Sequence, residues 1–240
     1  MGNTEQLPLP WAGWPDEIGC NFAAGHLVQN LGQPLVGGDG RLHAETFMAA
    51  AGVLAGWGAQ RSLLADPKTL SGEPLQLHMV TLKDGREMLY GDAINNRLMS
   101  SDPEQARFCV WNNLAGTAIG HGLAEADLPE VGELFRRVTE RMGGPLEGMP
   151  TTPDDHRPAA PAGVLLARVM PVAVACLTGE ISKITKSQGF AASESSYQAL
   201  TAWTAAKVLA QCCSVMAPGL ALVIGMESAI YGSKLRPPGA

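Results

Sequence analysis

LHAETFMAAAGVLAGWGAQRSLL, residues 42–64, carries the strongest structural signal in the chain. Its length and its many alanine and leucine residues predict a helix, which the pair Asp66-Pro67 would end. Apolar side chains occupy almost its whole circumference, and such a helix is buried in a large core or at an oligomer interface. We therefore expect it to lie at the centre of the molecule.

Two glycines inside this helix predict how it is packed. Gly52 and Gly56 lie four residues apart, which places them on one face. Each glycine costs about 1 kcal/mol relative to alanine inside a helix. That cost indicates a close crossing with another backbone, either within the chain or across a dimer axis.

Further helix signals lie on both sides of residues 42–64. Asp102-Pro103 is a typical helix start, with a capping side chain followed by proline in the first turn. The other segments have helical periodicity or composition and end at glycine or proline. The predicted helices cover residues 22–31, 42–64, 101–119, 127–142, 163–178, 193–216 and 219–231.

One segment shows strand character. Residues 75–82 alternate apolar and other side chains, Asp84-Gly85 supplies a turn, and residues 86–90 return. We predict a β-hairpin at about 75–90. Because two strands alone are marginally stable, the hairpin must pack on helices or pair with another edge, which a second subunit could provide.

The sequence thus predicts a mainly α (α+β) fold, in which residues 1–240 form a single-domain helical bundle of about six to eight helices with one small β-hairpin. Residues 1–20 hold three prolines and two tryptophans without a period, which favours an irregular arm. Residues 143–163 are predicted to be a long Pro/Gly-rich loop, and loops of this length are typical lids or binding loops. The tail 236–240 is expected to be mobile.

Charge and composition exclude several partners. The chain has 17 Lys and Arg against 23 Asp and Glu, a net charge of −6, with no dense basic cluster, so we expect no nucleic acid partner. Residues 208–226 are apolar enough to suggest a membrane span, but Pro218 and Gly219 divide them, which favours two buried helices and no membrane insertion. Five irregularly spaced cysteines favour a reducing compartment, the cytoplasm.

No common cofactor or nucleophile motif is present, and we predict no cofactor. The chain lacks Gly-x-Ser-x-Gly, the phosphate-binding loop, Gly-x-Gly-x-x-Gly and Cys-x-x-Cys. His43-Ala44-Glu45 begins like a zinc deaminase motif, but that motif also requires Pro-Cys-x-x-Cys. A structural role at the start of the helix is the better interpretation.

Two polar groups are candidates for ligand binding. One follows the hairpin directly and the other lies in the predicted helix 101–119. If they meet in a cleft, they would form the usual kind of small-molecule site, a few polar groups in an apolar wall. Capping, turns and internal hydrogen bonds are the alternative. The residues concerned are Asp92, Asn95, Asn96 and Arg97, with Asn112 and Asn113.

Asp154, Asp155 and His156 lie together in the predicted loop 143–163. Carboxylate and imidazole groups could bind a divalent metal or act as acid and base on a closing loop. Adjacent residues rarely point at one centre, so a further ligand would have to come from elsewhere. The alternative is a solvated charged loop.

Two functional hypotheses follow. The first is a non-enzymatic, cytoplasmic, oligomeric binding or assembly protein with a small-molecule cleft, since the titratable residues form no recognised catalytic set. The alternative is a metal-dependent hydrolase or lyase with its site under the loop 143–163. We expect self-association as a homodimer, because of the all-round apolar helix, the unpaired hairpin edge and the apolar length after residue 163.

Overall fold

The computed structural model of the protein describes residues 16–65, 77–180 and 192–235. These residues form nine helices and one two-stranded antiparallel hairpin, which confirms the predicted mainly α bundle. The helices in chain order are α1 Asp16–Leu31, α2 Ala44–Ala65, α3 Asp92–Leu98, α4 Pro103–Ala106, α5 Val110–Gly120, α6 Val131–Arg141, α7 Ala162–Leu177, α8 Tyr197–Cys212 and α9 Pro218–Gly232.

Helix α2 is the central element, as its composition predicts. It is buried from Thr46 to Gln60 on every side, and it packs most extensively against α8 and α9. Buried apolar side chains of α1, α5, α7 and α9 join it in one continuous core. A helix without a polar face is stable here because other helices surround it.

The glycines of α2 make the predicted close crossing, and they make it within the chain. A Cβ atom at Gly52 would lie 2.9 Å from the Cα of Gly225, and one at Gly56 would lie 2.7 Å from the backbone nitrogen of Ser233. Both would also overlap a carbonyl oxygen of α9. The two helix backbones therefore touch, and no dimer axis is needed to explain these glycines.

The hairpin consists of β1, His78–Thr81, and β2, Glu87–Tyr90, with His78 opposite Tyr90 and Thr81 opposite Glu87. Gly85 makes the turn with a φ of 84°. The free edge of β2 is covered by the segment after α9: the Leu89 amide donates to the Lys234 carbonyl at 2.9 Å. The chain itself thus supplies the partner that a two-stranded hairpin requires.

The predicted single helix over 101–119 is wrong, because α4 and α5 are separate. Asp102 caps α4 as expected, its carboxylate accepting from the Glu104 amide at 3.0 Å. The chain is extended at Cys109, whose side chain is fully buried. The Asn113 side-chain amide donates to the carbonyls of Arg107 and Cys109, which satisfies groups that a continuous helix would have paired.

The N-terminal prediction needs a second correction. Helix α1 begins at Asp16, so residues 16–20 are helical and do not belong to the predicted irregular arm. The predicted helix over 22–31 is six residues too short at its N-terminal end. The rest of the arm, residues 1–15, and the predicted tail 236–240 lie outside the described residues.

The apolar stretch 208–226 is divided as predicted. Helix α8 ends at Cys212, and α9 begins at Pro218, which occupies the first helical position where proline is tolerated. Among the helices of the described ranges, none has the length and apolar character needed to cross a membrane.

Candidate ligand-binding cleft

A cleft of about 530 Å³ opens beside the C-terminal end of α9. Much of its wall is apolar, formed by Val164, Leu166 and Met170 of α7, Trp57 of α2 and Leu235 after α9. The hairpin and both ends of the segment 143–163 complete it. Its size lies in the range of small-molecule sites, roughly 300–1,000 Å³.

One end of the cleft is polar and holds what we call the Arg86 network: Arg86, Glu147 and Tyr231. The Arg86 guanidinium binds the Glu147 carboxylate with two hydrogen bonds, Nη1 to Oε1 at 2.5 Å and Nη2 to Oε2 at 2.7 Å. The Tyr231 hydroxyl donates to Glu147 Oε1 at 2.8 Å, and the Gly143 amide donates to Oε2 at 2.7 Å. The Glu147 side chain is only 9% exposed, so it needs these partners.

The network fixes the protonation of its members. The hydrogen bond from Arg86 is the main reason that the pKa of Glu147 lies below its ordinary value. Burial, followed by the contact with Glu147, raises the pKa of Tyr231 well above its ordinary value. Arg86 also pairs with the exposed Asp84 at 2.6 Å, and this contact lowers the pKa of Asp84. At neutral pH the network therefore contains a carboxylate, a guanidinium and a neutral phenol.

Two glycines make room for the Tyr231 ring. A Cβ at Gly148 would lie 3.2 Å from the ring carbon Cε1, and one at Gly163 would lie 3.5 Å from the hydroxyl oxygen. Gly148 also has a φ of 72°, which favours glycine, and its carbonyl accepts the Ala162 amide at 2.8 Å. The glycines at these two positions thus leave space for the Tyr231 ring beside the cleft.

Behind Tyr231 lies a second titratable group, Glu227, one helical turn earlier on α9. Its side chain is 2% exposed; Oε2 accepts the Thr151 amide at 2.6 Å, whereas Oε1 has no hydrogen-bond partner within the described part of the chain. The Arg137 guanidinium lies 3.9 Å from Oε1. Burial raises the pKa of Glu227. A cavity of about 10 Å³ lined by Glu227 and Tyr231 has room for about one water molecule.

The predicted polar group after the hairpin has a structural place. Arg97 Nη1 donates to the side-chain oxygen of Gln198 at 3.1 Å, and the Gln198 amide donates to the Arg97 carbonyl at 3.0 Å. Asp92 and Asn96 are exposed at the surface of α3, and Asn95 Oδ1 is buried without a hydrogen-bond partner in the described ranges. The two hydrogen bonds between Arg97 and Gln198 join α3 to α8.

The second predicted polar group does not meet the first in a common cleft. Asn113 lines a separate cleft of about 390 Å³ with Arg107, Trp203 and Lys207, and none of residues 92–97 lines it. Asn112 is exposed. The alternative weighed above, capping and internal hydrogen bonds, describes the observed contacts of Asn113 and Arg97.

The three candidate metal ligands point in different directions. Asp154 forms an exposed ion pair with Arg157 at 2.6 Å, and Asp155 is exposed. His156 Nδ1 lies 2.9 Å from Glu45 Oε1, which raises the pKa of His156. In the described ranges, no three His, Cys, Asp or Glu side chains come together as a metal ion would need. The predicted metal site therefore has no structural support here.

Contacts with neighbouring helices fix the segment 143–163 along its length, and its middle does not cover the cleft. Arg141 Nη1 donates to the Met149 carbonyl at 2.7 Å, and the Ala159 amide donates to the Thr46 hydroxyl at 2.9 Å. With the contacts from Glu45 and Glu227, it is anchored to α2, α6 and α9. Its two ends, not residues 154–156, border the cleft.

The sequence does not reveal the Arg86 network. Its members are separated by 61 and 84 positions in the chain, so no local motif contains two of them. The available signals were indirect: Arg86 follows the Asp84-Gly85 turn, and Glu147 is the first acid in the Pro/Gly-rich segment.

No family model matches the chain, and no match was found among curated proteins or solved structures.

Proposed function

We propose that the protein is a non-enzymatic binding protein for a small, mainly apolar molecule, which occupies the cleft beside α9. The observation that carries this proposal is a cleft of about 530 Å³ with an apolar wall and a single polar end, the Arg86 network. A few polar groups in an apolar wall are the usual composition of small-molecule sites, because burial supplies affinity and the polar end supplies orientation.

The protonation of the network supports binding over catalysis. A general acid or base works best when its pKa lies near the working pH. Here the pKa of Glu147 is lowered by Arg86, and the pKa of Tyr231 is raised by burial. Both shifts move the pKa further from pH 7, so neither residue exchanges a proton readily at neutral pH.

Fluorescence titration with the uncharged dye N-phenyl-1-naphthylamine tests this proposal. Ala167 lines the cleft and is exposed, so Ala167→Trp should fill the cleft without disturbing the core. We expect saturable dye binding that is weakened at least tenfold in Ala167→Trp, with an unchanged melting temperature.

The matched control is Val215→Trp. Val215 is 73% exposed and precedes the N-terminus of α9, whereas Tyr231 lies in its last turn, about 20 Å along the helix from Pro218. This variant should bind dye like the wild type. Equal binding by both tryptophan variants and the wild type would contradict the proposal, because the dye would then bind elsewhere.

A second function has one specific observation in its favour, the pair of Glu45 and His156. The distance of 2.9 Å between Oε1 and Nδ1 orients the imidazole as in a general base. The activity would be hydrolysis or elimination, with the metal-dependent form requiring ligands beyond Asp154, Asp155 and His156. A screen of ester and amide substrates with and without divalent metals tests it: activity lost in His156→Gln would support it, and absence of turnover would contradict it.

We also propose a cytoplasmic homodimer. Four cysteines, Cys109, Cys176, Cys212 and Cys213, are free thiols, which favours a reducing compartment. Helix α2 is buried within the chain and no longer argues for a dimer, but Met79 and Val80 of β1 are 52% and 43% exposed. Analytical ultracentrifugation should give twice the chain mass of 25.2 kDa across dilution; a monomer would contradict the dimer.

A further inference from the structure

The hydrogen bonds of the Arg86 network indicate what kind of polar group the cleft can accept. A carboxylate offers about four lone-pair positions. Glu147 accepts from Arg86 Nη1, Arg86 Nη2, the Tyr231 hydroxyl and the Gly143 amide, which makes four bonds. Its capacity is filled, so a ligand that donates hydrogen bonds finds no free oxygen on Glu147.

Arg86 is nearly saturated as well. Of its five N–H groups, Nε binds Asp84 at 2.8 Å, Nη1 binds Glu147 once, and Nη2 contacts both Glu147 and Asp84. One N–H on Nη1 therefore has no carboxylate partner among the described residues. A ligand carboxylate therefore cannot form the two parallel bonds by which arginine usually binds such groups.

Tyr231 supplies the complementary group. Its hydroxyl hydrogen is donated to Glu147, and the neighbouring Arg86 makes a weaker contact with the oxygen, so one lone pair remains to accept a hydrogen bond. Tyr231 lines the cleft, and Gly163, which also lines it, places no side chain before the hydroxyl. The polar end thus offers one acceptor and one donor, which is the pattern that a ligand hydroxyl group matches.

Charge points to the same class. Asp84, which pairs with Arg86 outside the network, adds a second carboxylate beside it, so Asp84, Arg86 and Glu147 together carry a net charge of −1 at neutral pH, and this charge repels an anionic group. A ligand ammonium group is attracted but would lose its water among apolar walls without gaining a free carboxylate oxygen.

Resting on the proposed function, we infer that the ligand of this cleft is a neutral, mainly apolar alcohol, whose hydroxyl group donates to Tyr231 Oη and accepts from Arg86 Nη1. Its hydrocarbon part lies against Val164, Leu166 and Met170.

Displacement of the bound naphthylamine dye by a matched series at pH 7.5 tests this inference. The series keeps the hydrocarbon chain constant and changes only the end group: decan-1-ol, decanoate, decylammonium and decane. We expect decan-1-ol to displace the dye at about one tenth of the concentration that decanoate or decylammonium requires, and decane to be about fivefold weaker than the alcohol. A hydrogen-bonded pair of this kind corresponds to such factors.

Tyr231→Phe is the decisive variant, because it removes the acceptor and leaves the Arg86–Glu147 pair in place. The advantage of decan-1-ol over decane should disappear, whereas Tyr197→Phe, the same change at a buried tyrosine that stacks on Trp57, should preserve it. Melting curves of both variants check that they are folded.

The possible results separate the inference from the proposed function. If decanoate or decylammonium displaces the dye best, or if Tyr231→Phe keeps the full alcohol preference, the inferred ligand class is wrong while the cleft still binds. If the dye does not bind to the wild type, or binds equally to Ala167→Trp, the proposed function fails, and the inference fails with it.

Discussion

Glu227 is a buried acid whose Oε1 accepts no hydrogen bond from the described residues, and its titration should be visible in the stability of the protein. Burial raises its pKa, so the folded state holds this proton more tightly than the unfolded chain does. The free energy of unfolding should therefore fall as pH rises from about 4.3, the ordinary value for Glu, and level off above the folded pKa. Glu227→Gln removes this penalty and keeps an acceptor for the Thr151 amide.

We expect Glu227→Gln to be more stable than the wild type by about 1 kcal/mol at pH 7.5, the lower end of the cost of burying a polar group without a partner. The difference should shrink toward pH 4.5, where the wild-type carboxyl gains its proton. Urea unfolding at both pH values measures this effect, with the exposed Glu125→Gln as the control for a simple loss of charge. A variant that is less stable by the same amount at both pH values would mean that Arg137 stabilises an ionised Glu227.

The sequence predicts the residues of the candidate site only in part. Asp92, Asn95, Asn96 and Arg97 attract notice because polar groups are adjacent in the sequence, yet Arg97 serves to join α3 to α8 through Gln198. No local sequence feature marks Arg86, Glu147 or Tyr231 as site residues. They come together only because the hairpin, the segment 143–163 and α9 meet in the fold. Adjacent polar residues often bond the local backbone, whereas ligand sites collect groups from distant segments.

The crossing of α2 and α9 makes a prediction about glycine. A Cβ at Gly56 would overlap the Ala229 carbonyl oxygen, and neither backbone can move without opening the core. Gly56→Ala should destabilise the protein by about 3 kcal/mol, the upper end of the usual cost of overpacking. Urea unfolding followed by far-UV circular dichroism gives the free energy.

Gly116→Ala is the matched control. Gly116 lies inside α5, is exposed, and a Cβ there would meet nothing within 4 Å. The same substitution should therefore stabilise the protein by up to about 1 kcal/mol, through helix propensity alone. A lower free energy of unfolding in Gly56→Ala and a higher one in Gly116→Ala would establish the close crossing. A Gly56→Ala variant as stable as the wild type would show that the helices lie further apart.

The segment after α9 depends on α2 for its position. Gln60 is fully buried, and its amide nitrogen donates to the Ser233 carbonyl at 2.8 Å and the Leu235 carbonyl at 2.6 Å. Gln60→Leu should cost roughly 2 kcal/mol, because it leaves two carbonyls without their donor. It should also speed hydrogen exchange of the Leu89 amide, which is bonded to Lys234.

The exchange rate of the Leu89 amide separates a local effect from a global one. Thr201→Val, a polar-to-apolar change at a buried position of α8, is the comparison, because its hydroxyl bonds only the carbonyls of its own helix. Faster exchange at Leu89 in Gln60→Leu alone would support the role of Gln60. Equal acceleration in both variants would mean that the hairpin opens only with the whole protein.

Across the molecule, the long apolar helices and the β-hairpin were predictable, whereas the division between α4 and α5 was not. Helices α2, α7 and α9 follow from periodicity and composition, because their burial depends on residues within each helix. The break between α4 and α5 depends on Asn113 bonding back to Arg107 and Cys109, which no periodicity shows. The position of the cleft depends on three segments meeting, so only its neighbourhood, the Pro/Gly-rich segment, could be anticipated.

Methyl NMR shows whether one small molecule binds in the cleft beside α9. With 13C-methyl methionine, Met170 reports on the cleft wall, whereas Met79 reports on the exposed strand β1. Titration with decan-1-ol should move the Met170 signal, with saturation at one molecule per chain, and leave Met79 unchanged. An unchanged Met170 signal, or a Met79 signal that keeps shifting without saturation, would show that decan-1-ol does not bind in the cleft.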